Sequence, residues 1–175
     1  TQARDQLATS YTLAAAVYIQ QEREQEALDV LDKSLAIKQE SSGSGAALYF
    51  QGMAYRQLGQ DQSALDSLTK SLSLDGNGQY SLSAHQQLDL VYTSLGQKAL
   101  SFYHRGITQQ RLINREHAIG AFEKSLAASG DSPVSDDARN RLVTTLNEFA
   151  LARMETSAPE EALTLLEKSL EITQG

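Results

Sequence analysis

The chain has no cysteine, no tryptophan and only 2 prolines among its 175 residues. Without cysteine there are no disulfides, no thiolate metal sites and no cysteine nucleophile, and a reducing or an oxidising compartment fits equally well. The scarcity of proline, with no long polar tract, argues against disorder. Long apolar runs are lacking too. Hydrophobic residues come in short periodic groups, and none approaches the roughly 18 consecutive residues that read as a membrane span. Basic charge is in deficit: 15 Lys and Arg stand against 22 Asp and Glu, a net charge of −7 with a pI near 4.9. Such a surface repels phosphate backbones, and no basic stripe offsets it, so nucleic acid is not an expected partner. The chain opens at Thr1 with neither an initiator Met nor a signal pattern, as expected of an excised or processed segment.

What the chain does contain is repetition. Four segments align without gaps on the pattern A-[LI]-x-x-[LF]-x-K-S-L. They start at Ala27, Ala64, Ala118 and Ala162 and end at Leu35, Leu72, Leu126 and Leu170. The apolar places fall on one face of a helix. The small Ala and Ser let that face sit close to a neighbour. The Lys is expected in solvent, its stem along the helix surface. Another helical pattern precedes each segment, so the unit is a pair of helices joined by a short turn. Residues 45–75 show it most clearly, with a turn at Gly59-Gln60-Asp61. Ser157-Ala158-Pro159-Glu160 reads as a capping-box start for the last helix. Pro133 suits a first helical turn, and Asp131-Ser132 before it reads as a break.

This pattern resembles the tetratricopeptide repeat family. In 45–75 the matching residues are Leu48, Gly52, Tyr55, Leu58-Gly59, Ala64, Leu68 and Ser71. The first repeat matches through Tyr11, Ala15, Tyr18, Ala27, Leu31 and Ser34. A later one matches through Phe102, Gly106, Leu112, Ala118, Phe122 and Ser125, with Gln109 in place of the usual Tyr. The last matches through Leu146, Ala150, Ala162, Leu166 and Ser169, with Arg153 there. The resemblance implies an all-α, right-handed superhelical solenoid of antiparallel helix pairs, with about four repeats plus one extra or irregular helix. The expected division is a single repeat domain over 1–175, with repeats at about 3–40, 45–78, 99–130 and 135–174 and the irregular helix at 79–97.

The spacing is uneven. The repeat lysines Lys33, Lys70, Lys124 and Lys168 lie 37, 54 and 44 residues apart, where the family uses about 34. Within the longest gap, 80–95 is either an inserted helix or part of one long helix running through Gly96. A break near Gly96 is the favoured reading, because residues 99–107 resemble both a second helix and the first helix of the next repeat. The third spacing predicts a last first-helix that starts early, near Ser135.

Chemical motifs do not converge. Ser67-Leu68-Thr69-Lys70 has the S-x-x-K spacing of serine acylases, but it lies in a repeat helix and no S-D-N or K-T-G accompanies it. Asp75-Gly76-Asn77-Gly78 resembles the start of a calcium loop, but Gln86 stands where the twelfth-place Glu belongs. His85, His104 and His117 show no i, i+4 pair. No catalytic residue, metal ligand or cofactor is expected, and the chain reads as a non-enzyme.

By resemblance, the function is a protein–protein interaction scaffold or adaptor that holds a partner peptide or helix in a concave groove lined by the first helices. The residues at those places are Thr12, Ala16, Ile19 and Gln20; Tyr49, Met53, Arg56 and Gln57; Tyr103, Ile107, Gln110 and Arg111; and Asn147, Leu151 and Met154. The mixture of aromatic, aliphatic, amide and Arg groups suits peptide recognition. The carboxylate clamp of the chaperone-binding subgroup is absent, since Thr12 and Ala16 stand at its first two places. A sensory or regulatory segment of a larger bacterial signalling or transcription-control protein is an alternative, as is a self-assembling module. Leu163, Leu166 and Leu170 form an apolar flank on the last helix. The array is therefore expected either to continue in a parent protein or to pair with another copy at this end.

Overall fold

The computed structural model describes residues 2–38, 42–130 and 133–174. Among these residues the secondary structure is helical. In order the helices are α1 (Gln2–Gln20), α2 (Glu24–Lys38), α3 (Gly45–Gln57), α4 (Asp61–Leu74), α5 (Ser81–Ser94), α6 (Lys98–Arg111), α7 (Arg115–Ser129), α8 (Pro133–Glu155) and α9 (Pro159–Gln174), with a short 3₁₀ turn at Ser42–Ser44. Acidic residues open several of them, among them Glu24 and Glu26 in α2 and Glu160 and Glu161 in α9, where they complement the helix dipole. The expected all-α class of antiparallel helix pairs is what the chain adopts. Expectations placed on 39–41 and on 131–132 lie outside the described residues.

The chain divides into two compact units, 1–95 and 96–175. In the first, α1 pairs with α2 and α3 with α4, and α5 packs on α4 and α3. In the second, α6 pairs with α7 and α8 with α9, and α8 packs on α7 and α6. The extra helix is α5. It ends at Ser94 and α6 starts at Lys98, so 80–112 forms two helices, with Gly96 between them at φ +72°. Only a glycine takes that conformation at no steric cost.

Two contacts recur among the hairpins α1–α2, α3–α4 and α6–α7. The first is a close approach. A Cβ added to Gly52 would lie 2.5 Å from Leu68 Cγ, and one added to Gly106 would lie 2.5 Å from a Phe122 ring carbon. The large side chain of the second helix fills the space that the small residue leaves, and Leu31, Leu68 and Phe122 are fully buried as a result. The second contact is polar. Ser34, Ser71 and Ser125 each donate a hydroxyl hydrogen bond to a first-helix carbonyl, those of Ala8 (2.8 Å), Gly45 (2.7 Å) and Ala99 (2.8 Å). The chain separation is 26 residues each time. The four repeat lysines are exposed, as their spacing predicts. Two of them extend over first-helix rings, Lys33 over Tyr11 at 6.0 Å and Lys124 over Phe102 at 5.8 Å.

The hairpin turns share one geometry. Glu22, Gly59, Ile113 and Ser157 all have positive φ, at 58°, 70°, 58° and 60°. The residue after each donates its N–H to a carbonyl in the last turn of the first helix: Arg23 to Tyr18 (3.0 Å), Gln60 to Tyr55 (2.8 Å), Asn114 to Gln109 (2.9 Å) and Ala158 to Arg153 (2.9 Å). The acceptor is main chain, so Gln109 and Arg153 serve where Tyr18 and Tyr55 do. This geometry also corrects the capping-box reading. Ser157 takes the left-handed turn position, and Ala158 is the residue that precedes α9.

Thermal or urea unfolding followed by circular dichroism checks these contacts. Gly52→Ala and Gly106→Ala should each cost about 1–3 kcal/mol through overpacking, and Ser71→Ala about 1 kcal/mol. Gly120→Ala should cost nothing, because its added Cβ meets no atom within 4 Å. Ile113 is a β-branched residue held at positive φ with its side chain 68% exposed. Ile113→Gly should therefore stabilise by about 1 kcal/mol.

Candidate functional site

In the first unit the first-helix face is mostly committed to packing. Thr12 is buried; its hydroxyl reaches the Ala8 carbonyl at 3.1 Å and shares a 2.8 Å hydrogen bond with Ser34. Ile19 belongs to the apolar core with Ala15, Leu28 and Leu31, and Met53 packs against it. Ala16 and Arg56 are half-buried, whereas Gln20 and Gln57 are exposed. Tyr49 is buried and stacks on Tyr80 with centroids 4.9 Å apart, and Phe50 meets both rings edge-on at 5.1 Å. Burial pushes the Tyr49 phenol above its ordinary pKa, while its hydrogen bond with Ser83 and the charge of Arg56 pull the other way. Tyr49 therefore anchors the start of α5, and Tyr49→Ala reports on packing before it reports on binding.

In the second unit α6 and α8 are joined by a polar network. The Tyr103 hydroxyl donates to Asp137. Arg141 Nε donates to Asp137 Oδ2 at 3.1 Å and to the Tyr103 oxygen at 3.3 Å, and its guanidinium lies 5.8 Å from the Tyr103 ring centroid. A terminal nitrogen of Arg141 donates to Gln110 Oε1 at 3.3 Å, and Gln110 Nε2 donates to Thr145 Oγ1 at 3.2 Å. The structure thus brings Tyr103 and Gln110 together through three residues that the repeat register did not mark. The early start of α8 places Asp137, Arg141 and Thr145 beside α6. Their i, i+4, i+8 spacing was the available signal. Ile107 is buried between the helices, and Arg111 and Asn147 are exposed. Further along α8, Leu151 is 60% and Met154 48% exposed.

The network sets the ionisation of its members. Burial works against the Asp137 carboxylate, but the hydrogen bonds from Tyr103 and Arg141 and the Arg141 charge outweigh it and hold its pKa below the ordinary value. Burial, then the hydrogen bond to Asp137, raises the Tyr103 phenol against the opposing Arg141. Among the described residues no group of three or more His, Asp or Glu is placed to hold a metal. The histidines stay apart in role: His104 is buried on α6, and His117 Nδ1 lies 2.8 Å from Asn114 Oδ1. No helix among the described residues is long and apolar enough to cross a membrane.

Among known families, the tetratricopeptide repeat matches residues 6–76. Residues 6–76 belong to the tetratricopeptide repeat family. No curated protein matches the chain by sequence. Among solved structures, a single-substitution form of a Podosopora anserina protein with nearly identical TPR-like repeats is 18% identical, with a TM-score of 0.53 over 98% of this chain and 96% of that one. A protein solved as MamA is 20% identical, with a TM-score of 0.45 over 95% of this chain and 78% of that one. Tetratricopeptide proteins are in general non-catalytic scaffolds for protein–protein interaction.

The two ionisations give opposite pH signatures. Asp137 has a folded-state pKa below its unfolded value. Its contribution is therefore full above about pH 4 and is lost as pH falls through the lower folded value. Its side chain is 52% exposed, so the effect is small. Tyr103 has a raised pKa, so its contribution is lost as pH climbs past about 10. Asp137→Asn should flatten the acid limb of stability against pH, and Tyr103→Phe should remove one late-ionising phenol from an absorbance titration.

Proposed function

We propose that the chain is a non-catalytic scaffold that binds a partner peptide or helix along its first-helix faces, with α8 supplying the main contact. The observation that carries this is the pairing, on one first helix, of a fixed polar network with an exposed apolar pair. Arg141 and Gln110 are already oriented by their hydrogen bonds, which reduces the ordering cost of binding a peptide backbone or carboxylate. Leu151 and Met154 offer apolar area in solvent, and the flexible thioether of Met adapts to varied side chains. Arg111 and Asn147 add exposed polar groups. In the first unit, Gln20 and Gln57 of the predicted face are exposed and Ala16, Met53 and Arg56 half-buried, while Thr12, Ile19 and Tyr49 support it from beneath.

A random-peptide display selection against the wild-type chain tests the proposal. Enriched peptides should lose about 30-fold in affinity for Leu151→Ala combined with Met154→Ala, with helicity unchanged. Peptides that bind the double variant as well as wild type would move the site away from α8. A selection that enriches nothing would remove the groove reading.

A further inference from the structure

Within each unit a second helix packs on the first helix that follows it, using two fixed places. In α2 these are Leu28 and Leu35, which lie in the apolar cluster with α3 residues. In α7 they are Ile119 and Leu126, which lie in the cluster with α8 residues. In α9 the same places hold Leu163 and Leu170, and these side chains are 56% and 57% exposed. Glu160, Glu167 and Glu171 are exposed as well. Helical spacing sets all three along one edge of the leucine stripe. α9 therefore presents an apolar stripe with an acidic border.

A surface of opposite character lies on the first hairpin of the same unit. A groove of about 460 Å³ runs between α6 and α7, with Phe102 and Arg105 on one wall and Gly120 and Lys124 on the other. None of these four belongs to the apolar cluster packed against α8. Phe102 is bracketed by two cations, Arg105 at 5.4 Å and Lys124 at 5.8 Å from the ring centroid. Over Gly120 the space is open, since an added Cβ would touch no atom within 4 Å. Glu116 also lines the groove, and it is ion-paired with Arg153 at 3.4 Å.

We propose that α9 of one copy docks in the α6–α7 groove of a second copy. Leu163 and Leu170 lie on one face of α9, about 10 Å apart along it; in the docked pair one covers Phe102 and the other enters the space over Gly120. The acidic border then faces Arg105 and Lys124, and this local complementarity offsets the repulsion between two chains of net charge −7. The two surfaces differ, so the contact is heterologous: each copy that joins presents a fresh α9, and growth is head to tail. The contact uses neither the polar network of α6 and α8 nor Leu151 and Met154, so it stands or falls apart from the peptide-binding proposal.

Sedimentation velocity on the full chain, over a concentration series, is the test. Wild type should gain mass with concentration. Leu163→Glu with Leu170→Glu removes the α9 stripe, and Arg105→Glu with Lys124→Glu reverses the groove. Each double variant alone should sediment as a monomer, with its association weakened at least about 100-fold and its far-ultraviolet circular dichroism unchanged. Mixed in equal amounts, the two should form a 1:1 dimer and stop there, because one live α9 and one live groove remain between them. Gly120→Gln, which fills the open space without altering charge, should also give a monomer. A wild-type chain that stays monomeric up to about 1 mM would overturn the proposal. So would self-association that survives in the groove variants, which would mean that α9 pairs with itself, or a mixture of the two variants that fails to associate.

Discussion

A serine hydroxyl on the second helix, donated to a carbonyl near the start of the first, ties three of the hairpins at a fixed distance. Ser34, Ser71 and Ser125 make this bond. It forms only because the helices approach closely, and they approach closely only because Ala15, Gly52 and Gly106 leave room on one side. Leu31, Leu68 and Phe122 then fill the remaining volume to the density expected of a protein interior. The polar and apolar contacts are thus mutually dependent. A larger residue at the small position would lengthen the serine bond, and losing that bond would remove a buried polar tie between the two helices. The turn completes the constraint through main-chain groups, which is why its sequence is free enough to include Glu22, Ile113 and Ser157.

The hairpins were legible in the sequence because these contacts recur at fixed spacing and demand particular residue sizes. Ala64, Leu68 and Ser71 could be read as packing residues from their periodicity, and the break at Gly96 from the double likeness of residues 99–107. The polar network was harder to see. Tyr103 and Gln110 were marked by register, but Asp137 and Arg141 lie in the early part of the lengthened α8, ahead of the first matching position at Leu146, and Thr145 stands at a place that the register assigns to packing. Side-chain direction was the other limit. Tyr49 and Thr12 occupy first-helix places that usually face a ligand, yet a neighbouring ring or hydroxyl draws each into the interior. Ser157 shows the same weakness at short range: S-x-x-E reads as a cap, but a turn geometry shared by four hairpins overrides it.

The division between packing and function follows from the same physics. Residues that set the helix separation cannot also serve a partner. Exposed residues include Gln20, Gln57, Arg111, Asn147, Leu151 and Met154 on first helices and Leu163 and Leu170 on α9, and the groove beside Phe102 is open as well. The α9 stripe and the groove are apolar with charged borders of opposite sign. The α8 surface joins a pre-oriented polar network to an exposed apolar pair. The two proposed contacts therefore use separate surfaces and leave the hairpin packing untouched.

The constancy of the 26-residue span has a consequence for how the chain tolerates change. The repeat lysines are 37, 54 and 44 residues apart, yet the serine bonds of Ser34, Ser71 and Ser125 all close over the same 26 residues. The variation in length therefore falls between closures. Material added there, such as α5 between the closures of Ser71 and Ser125, lengthens neither closed loop, so it adds no loop-closure entropy to the hairpins on either side. Each hairpin behaves as a sealed bracket, and the segments between brackets are the places where the chain can acquire new elements.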